Sequence, residues 1–300
     1  RNMFSEDINF SHYNILGKEI EKEVKSGKFQ GIIITHGTDT MHYTSAALSF
    51  MLHGLPIPVV LVGAQRSSDR GSSDAFMNLI CSSLFILNSD YKGVCICMHT
   101  ESADESCDIL PGVNAKKLHS SRRDAFKVVN LTKIASVTKS GNIKNFKKHH
   151  LQTGDFKLSL FNEKLKVGIL RSHPNMFAEE VYAYKAFNGL IIEGTGLGHF
   201  PINEIDEFTK EHTKILKAIK ELSVAIPVVM STQCIFGIVN MNVYETGRKL
   251  TEAGVLGNMS TMTTETAFIK LAWLLSNKAH EAKKLINKNI CGELSSRTEF

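Results

Sequence analysis

The chain has 300 residues, of which 43% are hydrophobic and 22% are charged, and its formal net charge is +5. This composition is typical of globular proteins and excludes a disordered chain, and no apolar run approaches the roughly 20 residues that span a bilayer. The mild positive charge is compatible with a polyanionic partner but does not require one.

The cysteine pattern excludes a zinc site of the usual spacing. The six cysteines form no CxxC pair, and a chain of this length folds without disulfide staples. Reduced thiols in the cytoplasm are therefore the expectation, with no metal and no membrane segment.

The first half of the chain alternates predicted helices and strands. Leu16, Ile20 and Val24 recur every four residues and predict a helix over 14–26 that ends at Gly27. The other predicted elements of this half are strands at 31–35, 58–63 and 93–98 and helices at 41–53 and 74–87, the last capped by Ser73 or Asp74. Strands that alternate with helices are typical of βαβ units. We predict an α/β N-terminal domain over residues 1–150, with three layers around a parallel sheet.

A basic segment follows this half, with the cluster Lys144, Lys147, Lys148, His149 and His150. Such a cluster indicates either a contact with nucleic acid or an acidic partner, or a solvated hairpin between domains. We favour the hairpin because aromatic residues do not interleave with the charges.

A regular pattern then resumes and predicts a smaller α/β C-terminal domain over residues 165–300. Its predicted elements are strands at 166–170, 189–194 and 226–232 and helices at 176–187, 204–222 and 263–276. β-branched runs separated by helical segments support the same βαβ arrangement here.

The segment GIIITHGTDT, residues 31–40, is the most informative functional pattern. A buried strand ends there in a turn crowded with hydroxyls and a carboxylate, and α/β sheets bind ligands at the carboxyl ends of their strands. The loop at 63–73 follows the next strand and should lie at the same edge of the sheet. The alternative is that Asp39 or Thr40 caps the following helix.

Several segments together resemble the asparaginase/glutaminase family of amidohydrolases, namely HGTDTMHYTSAALSFML, PVVLVGAQRSSDRGSSDA, KKLHSSRRDAF and IIEGTGLGH. The segment VNMNVYETGR, residues 239–248, resembles more narrowly the glutaminase subunit of archaeal glutamyl-tRNA(Gln) amidotransferases. The resemblance extends over nearly the whole chain and implies an asparaginase-like fold.

The resemblance implies that a threonine hydroxyl attacks a side-chain amide, forms an acyl-enzyme and releases ammonia. A hydroxyl is a weak nucleophile until a base takes its proton, and the family supplies a second threonine, an aspartate and a lysine for this purpose. The matching positions are Thr38, Asp39 and Lys117, which we predict to be catalytic. A lysine accepts a proton only when it is neutral; burial favours that form, whereas Asp39 opposes it. The adjacent Lys116 is expected to be a surface lysine.

The resemblance also predicts the substrate-binding residues Ser5, Glu6, Gly37, Gly63 and Ala64. Ser5 and Glu6 would bind the α-carboxylate and α-amino groups of the substrate, and small residues would let the backbone approach the scissile amide. The alternative for Ser5 is a helix cap, a position for which Asp7 and Ser11 compete.

One family motif has no match in this chain. The Gly-rich turn that carries the nucleophilic threonine, with a T-G-G-T-I-like sequence, is absent, and the chain starts at the segment that carries Ser5. We expect an N-terminal truncation, with which the initial Arg1 agrees, and a fragment that is inactive alone. The alternative is a naturally shortened binding or assembly subunit.

The resemblance further implies partners. Ammonia from glutamine or asparagine would pass to the tRNA-binding subunit of the amidotransferase, designated E, which uses ATP and magnesium to activate Glu-tRNA(Gln); no cofactor is expected in this chain. We expect a homodimer within a heterotetramer, with the segment 232–260 as a candidate contact. The alternatives are a stand-alone cytoplasmic asparaginase and a non-catalytic amino-acid-binding module. Glutamine and asparagine differ by one methylene, which the sequence does not resolve.

Overall fold

The computed structural model of the chain describes residues 3–146 and 154–297. Its backbone forms two compact units. The first extends to Phe161 and includes Ile290–Glu293, and the second comprises Asn162–Asn289 and continues from Leu294.

A mixed six-stranded sheet forms the centre of the first unit. In spatial order its strands are β1 Ile32–Thr35, β3 Pro58–Val62, β4 Gly93–His99, β5 Ser106–Pro111, β8 Ala135–Thr138 and β9 Ile143–Asn145. The first three strands are parallel and the last three are antiparallel. The α/β class is therefore confirmed, but the sheet is parallel only in its first half. Two short antiparallel pairs complete the described strands of this unit: β2 Leu52–His53 with β10 Lys157–Leu158, and β6 Ala115–Lys117 with β7 Phe126–Val128.

Helices lie on both faces of this sheet. The described helices of the unit are a 3₁₀ turn at Ser5–Asp7, α1 Phe10–Ser26, α2 Met41–Met51 and α3 Ala75–Asn88. The α3 helix packs on the side chains of Val60, Val62, Cys95 and Cys97. Successive side chains of a strand point to opposite faces, and the alternate residue Leu61 is also fully buried. A second layer therefore covers the other face, and α2 contacts β4.

The α1 helix begins four residues before its predicted start, because Asn9 caps it. The Asn9 side chain accepts from the Ser11 backbone N–H at 3.1 Å, and the Asn9 N–H donates to His12 Nδ1 at 3.2 Å. Neither Ser5 nor Ser11 has this role, so the cap alternative for Ser5 is wrong. At the other end Gly27 adopts a left-handed conformation with φ of 64°, which suits a glycine after a helix.

The β1 strand lies at one edge of the sheet, and a groove runs beside it. The groove has a volume of about 510 Å³ and ends at His36 and Gly37. It is lined mostly by apolar side chains of α1 and β1, including Ile15, Leu16, Ile20, Ile32 and Ile34. An unpaired strand edge beside apolar surface is a suitable place for a further strand.

The second unit is a smaller sheet with helices around it. Its three described strands, β11 Val167–Arg171, β12 Gly189–Gly194 and β13 Val228–Thr232, are parallel. Its described helices are α4 Ala178–Tyr182, α5 Glu211–Ala225, α6 Glu245–Glu252, α7 Thr264–Asn277, a 3₁₀ turn at Ala279–Glu281 and α8 Ala282–Leu285. The predicted strands agree with the observed ones to within two residues.

The helices of the second unit differ more from the prediction. The α5 helix starts at Glu211 rather than 204, because Asp206 and Thr209 form a turn in which Thr209 Oγ1 accepts from the Ile205 and Asp206 N–H groups. The α4 helix has five residues where we predicted twelve, and α6 was not predicted.

None of the helices in residues 3–146 and 154–297 combines the length and apolar character that crossing a membrane requires. All six cysteines are free thiols, and Cys81, Cys95, Cys97 and Cys107 are buried. Of the basic cluster, Lys144 lies on β9, in a hairpin with β8, while residues 147–150 fall outside the described part of the chain.

Candidate active site

The site is built on the turn that follows β1. Thr35 lies beside Val62 in the parallel register, and the His36 N–H donates to the Val62 carbonyl at 2.9 Å. The chain then leaves the sheet and enters α2 at Met41. This geometry places Thr38 and Asp39 at the carboxyl edge of the parallel strands, as the sequence predicts.

Lys117 joins this turn from a distant part of the chain. Its Nζ donates to Thr38 Oγ1 at 2.8 Å and to Asp39 Oδ1 at 2.6 Å. The β6–β7 hairpin holds Lys117 in place, and alternation along β6 directs the neighbouring Lys116 to the opposite side. The Lys117 side chain is 10% exposed and that of Asp39 is 65% exposed, so the ion pair lies at the mouth of a pocket with Thr38 beneath it.

Neither Asp39 nor Thr40 caps α2 with its side chain, so the cap interpretation of this turn is wrong. Thr40 occupies the N-cap position without a side-chain cap bond. Instead its Oγ1 donates to the Ser5 carbonyl at 2.6 Å. This bond ties the 3₁₀ turn of Ser5 to the catalytic turn.

The glycines of the site are required by close packing. A Cβ on Gly37 would lie 2.9 Å from Ser5 Cβ, and a Cβ on Gly63 would lie 2.7 Å from Thr38 Cγ2 and 3.0 Å from the His36 carbonyl oxygen. Such distances are shorter than side chains tolerate. The loops after β1 and β3 therefore contact each other directly, with Thr38 against the Gly63 backbone.

The substrate-binding candidates are not all equally close to this turn. Ser5 is buried against Gly37, and Ala64 is partly exposed next to Gly63. Glu6 is exposed, and within residues 3–146 and 154–297 its carboxylate has no hydrogen-bond partner. The structure thus brings Ser5, Gly37 and Gly63 into the cluster of Thr38 and leaves the Glu6 side chain open to solvent.

His36 supports the turn and was missed in the sequence. Its Nδ1 donates to the Gly37 carbonyl at 2.6 Å, and Thr44 Oγ1 donates to its Nε2 at 2.8 Å. This pattern requires a neutral imidazole. Burial lowers the pKa of His36, and the bond to the Gly37 carbonyl opposes that shift only in part.

Two buried polar residues of α3 hold the second loop from behind. The Asp74 carboxylate accepts from the backbone N–H groups of Gln65 at 3.0 Å and Arg66 at 2.9 Å, and it makes no side-chain cap bond to α3. The Asn78 Nδ2 donates to the Gly63 carbonyl at 2.9 Å. The sequence carried a signal for this role: Asp74 and Asn78 are polar residues one turn apart on an otherwise apolar helix.

The arrangement can exchange a proton with a hydroxyl at the mouth of the pocket. An amine that contacts both a hydroxyl and a carboxylate is a general base whose orientation the carboxylate fixes. Among the described residues, Thr38 supplies the hydroxyl that Lys117 contacts.

Comparison with family models supports an amidohydrolase. Residues 1–151 match the model described as asparaginase, N-terminal, and residues 166–286 match the glutaminase/asparaginase C-terminal domain. The matched ranges include every candidate site residue.

Curated relatives are similar along the whole chain. The chain is 42% identical over 305 residues to the subunit designated D of glutamyl-tRNA(Gln) amidotransferase from Pyrococcus abyssi, with 100% of this chain and 66% of the relative covered. It is 41% identical over 304 residues to the corresponding amidotransferase subunit of Methanobrevibacter smithii, with the same coverage. The chain therefore spans slightly less than two thirds of the length of these relatives.

Solved structures show the same fold. The thermostable L-asparaginase from Thermococcus kodakarensis superposes with a TM-score of 0.86 at 32% identity, and covers 98% of this chain and 84% of its own. L-asparaginase I from Vibrio cholerae superposes with a TM-score of 0.84 at 28% identity and the same coverage.

Proposed function

The chain belongs to the glutaminase/asparaginase family of amidohydrolases, and on this premise we propose that the complete protein releases ammonia from the side-chain amide of glutamine or asparagine. The observation that carries the proposal is the contact of Lys117 Nζ with both Thr38 and Asp39. Few structural roles need a lysine held by a hydroxyl and a carboxylate at the carboxyl edge of a parallel sheet.

In the proposed reaction, Lys117 accepts the proton of an attacking hydroxyl, Thr38 relays it, and Asp39 orients the amine. The hydroxyl oxygen bonds to the amide carbon, the C–N bond breaks, and the nitrogen leaves as ammonia with the transferred proton. Water then hydrolyses the resulting ester to give the free acid. Each step conserves atoms without a metal or a redox partner.

We propose that the attacking hydroxyl is carried by a strand that adds to the free edge of β1. The groove beside β1 supports this arrangement because it is apolar along its length and ends at His36 and Gly37. A strand seated there would deliver its last residues next to Thr38. Residues 1–300 without such a strand should then be inactive.

The proposed substrate contacts follow the same geometry. Ser5 and Glu6 would bind the α-carboxylate and the α-amino group, and the exposed Glu6 carboxylate is free to pair with an ammonium group. The backbone of Gly37, Gly63 and Ala64 would contact the amide.

We further propose that the protein is the ammonia-producing subunit of a tRNA-dependent amidotransferase in the cytoplasm. The 42% identity to the amidotransferase subunit of Pyrococcus abyssi exceeds the 32% identity to the Thermococcus asparaginase. The tRNA-binding subunit, designated E, would use ATP and magnesium to activate Glu-tRNA(Gln). A homodimer within a heterotetramer would suit the segment 232–260, which exposes the apolar side chains Ile235, Phe236, Val243, Tyr244 and Met259.

A stand-alone L-asparaginase is the second candidate, which the superposition on two asparaginases favours. Copurification of the complete gene product from its native cells distinguishes the two. A stoichiometric tRNA-binding partner supports the amidotransferase, and a homo-oligomer without one supports the asparaginase.

The amidohydrolase proposal is tested by ammonia release from the complete gene product. Thr38→Val removes the hydroxyl that contacts Lys117 but keeps the shape of the side chain, and Thr38→Ser keeps the hydroxyl. We expect Thr38→Val to lose activity by about 100-fold or more, in the range of an acid–base group, and Thr38→Ser to keep most of it. Equal activity of Thr38→Val and wild type would overturn the assignment, and absence of turnover in wild type would favour a binding module.

A further inference from the structure

A fully buried histidine lies behind the candidate site and takes no part in the reaction proposed above. His99 ends β4, is inaccessible to solvent, and has both ring nitrogens in hydrogen bonds. Its Nδ1 lies 2.7 Å from Asn78 Oδ1, and its Nε2 lies 2.9 Å from Asp104 Oδ1.

The surroundings of Asn78 fix the direction of the first bond. Asn78 Nδ2 donates to the Gly63 carbonyl at 2.9 Å and to Asp74 Oδ2 at 3.3 Å, so its two hydrogens are used. The opposite atom, Oδ1, therefore faces His99, and it also accepts from the Cys107 thiol at 3.3 Å. An amide oxygen can only accept, so His99 Nδ1 carries a hydrogen.

The surroundings of Asp104 fix the second bond. The hydrogen bond from His99 lowers the pKa of Asp104, and the Arg123 guanidinium adds to this effect. An ionised carboxylate can only accept, so His99 Nε2 carries a hydrogen as well. An imidazole that donates from both nitrogens is a cation, and His99 is therefore an imidazolium buried between an amide and a carboxylate.

The bonds that leave Asn78 end at the backbone that faces Thr38. The Gly63 carbonyl accepts from Asn78, and the described peptide bonds are all trans, so the Ala64 N–H points away from Asn78. In the part of the chain that the structure describes, this N–H has no acceptor. The 63–64 peptide is thus held on its carbonyl side, while its N–H side is open for a ligand.

The bonds that leave Asp104 end at the hairpin of Lys117. Arg123, which lies between β6 and β7, donates to Asp104 Oδ1 at 2.9 Å, to the Ser102 carbonyl at 3.2 Å and to the Ser72 carbonyl. Asp104 therefore bridges His99 and Arg123. One set of hydrogen bonds joins the loop after β3, the loop after β4 and the hairpin that carries Lys117.

We propose that His99 is a positioning residue for amide cleavage. As a buried imidazolium it fixes the Asn78 carboxamide in one orientation, and Asn78 in turn fixes the 63–64 peptide so that the Ala64 N–H meets the amide of the substrate. Through Asp104 and Arg123 it also holds this peptide at a constant distance from Lys117. This inference rests on the proposed amidohydrolase function for its kinetic consequence, but not for the charge of His99.

The kinetic test uses Asp104→Ala in the complete gene product. The Asp104 side chain is 55% exposed, so its loss should leave the core folded. We expect kcat to fall about 10-fold, because a displaced peptide no longer meets the reacting group, while KM changes less than about two-fold. Glu101→Ala is the matched control, because Glu101 is an exposed acid of the same loop without a described partner, and it should behave as wild type.

The spectroscopic test needs no activity. In ¹⁵N-histidine-labelled complete protein at neutral pH, both ring nitrogens of His99 should be protonated, with the His99 signals assigned by their loss in His99→Gln. The Asp104→Ala variant should lose the protonated Nε2 signal pattern. A His99 ring with one unprotonated nitrogen in wild type would overturn the proposal.

The two tests separate the possible failures. A wild-type protein that releases no ammonia refutes the proposed function, and the nitrogen spectrum then still decides the charge and the clamp. An active wild type with unchanged kcat in folded Asp104→Ala refutes the positioning role alone. A parallel loss of kcat and of folded protein in His99→Gln, with Asp104→Ala at wild-type kcat, would show a purely structural residue and would also refute it.

Discussion

Lys117 and Asp39 lie 78 positions apart in the chain, yet their side chains form an ion pair of 2.6 Å. The pair is possible because the turn after β1 and the β6–β7 hairpin meet at the carboxyl edge of the sheet. Thr38 completes the contact from the buried side at 2.8 Å. This cluster is the basis for the proposed chemistry, and its supporting contacts lead to separate predictions.

Gly63→Ala should disturb the site by steric contact. The added Cβ would lie 2.7 Å from Thr38 Cγ2 and 3.0 Å from a backbone oxygen, so the two loops must move apart. We expect a loss of about 1–3 kcal/mol in the free energy of unfolding, together with most of the ammonia release. Gly71→Ala in the same loop is the control, since a Cβ there has no atom within 4 Å. Urea unfolding of the two variants decides the prediction, which fails if they are equally stable.

The stability of the protein should fall in mildly acidic solution because of His36. Burial lowers the pKa of His36 in the native state, whereas an unfolded histidine titrates near about 6.5. Between these two values the unfolded state binds more protons, so the contribution of neutral His36 is complete above the unfolded value and is lost as the pH falls through the native one.

Urea unfolding from pH 7.5 down to pH 5, values chosen to bracket the ordinary histidine range of about 6.5, measures this loss. His36→Gln keeps a polar side chain but does not titrate, so its stability should decline less steeply over the same range. Identical slopes for His36→Gln and wild type would show that other groups cause the decline.

Asn9→Ala should weaken the start of α1. Its side chain accepts from the Ser11 N–H at 3.1 Å, and the loss of such a cap reduces the free energy of unfolding by about 1 kcal/mol. Ser11→Ala, at the position we had considered as a rival cap, should change stability by less than about 0.5 kcal/mol. Thermal unfolding of both variants tests the assignment, and a larger effect at Ser11 would reverse it.

The sequence predicts the first half of the sheet well because its signals are local. β-branched runs that alternate with helices define β1, β3 and β4, and Gly27 marks the end of α1. The antiparallel strands that follow are less evident. The β5 strand contains Asp108, a buried carboxylate that accepts from Lys133 Nζ at 2.8 Å and from Ser136 Oγ at 2.6 Å. A charged residue that is satisfied by distant partners disrupts the alternation on which strand prediction depends.

The α6 helix shows the same limit in the second unit. It contains Gly247, a residue that lowers helix propensity, yet a Cβ there would lie 2.4 Å from the Met241 carbonyl oxygen. The glycine is needed for packing against a loop that local patterns do not show. Tertiary packing therefore overrides the local preference at this position.

At the candidate site, the family resemblance indicates Thr38, Asp39 and Lys117, and the structure brings these three together. It gives no indication of His36 or His99, because their roles depend on which acceptors surround each ring nitrogen. Asp74 was interpreted as a helix cap, whereas it holds the backbone of Gln65 and Arg66. Such supporting contacts join residues far apart in sequence and become visible only in the fold.

The most direct test of the account is ammonia release from the complete gene product with Lys117→Met beside Lys116→Met. Both variants replace a lysine of β6 by an apolar chain of similar length, but Lys117 Nζ contacts Thr38 and Asp39. We expect Lys117→Met to lose activity by about 100-fold or more and Lys116→Met to stay close to wild type. Wild-type activity in Lys117→Met, with the protein folded, would contradict the proposed chemistry.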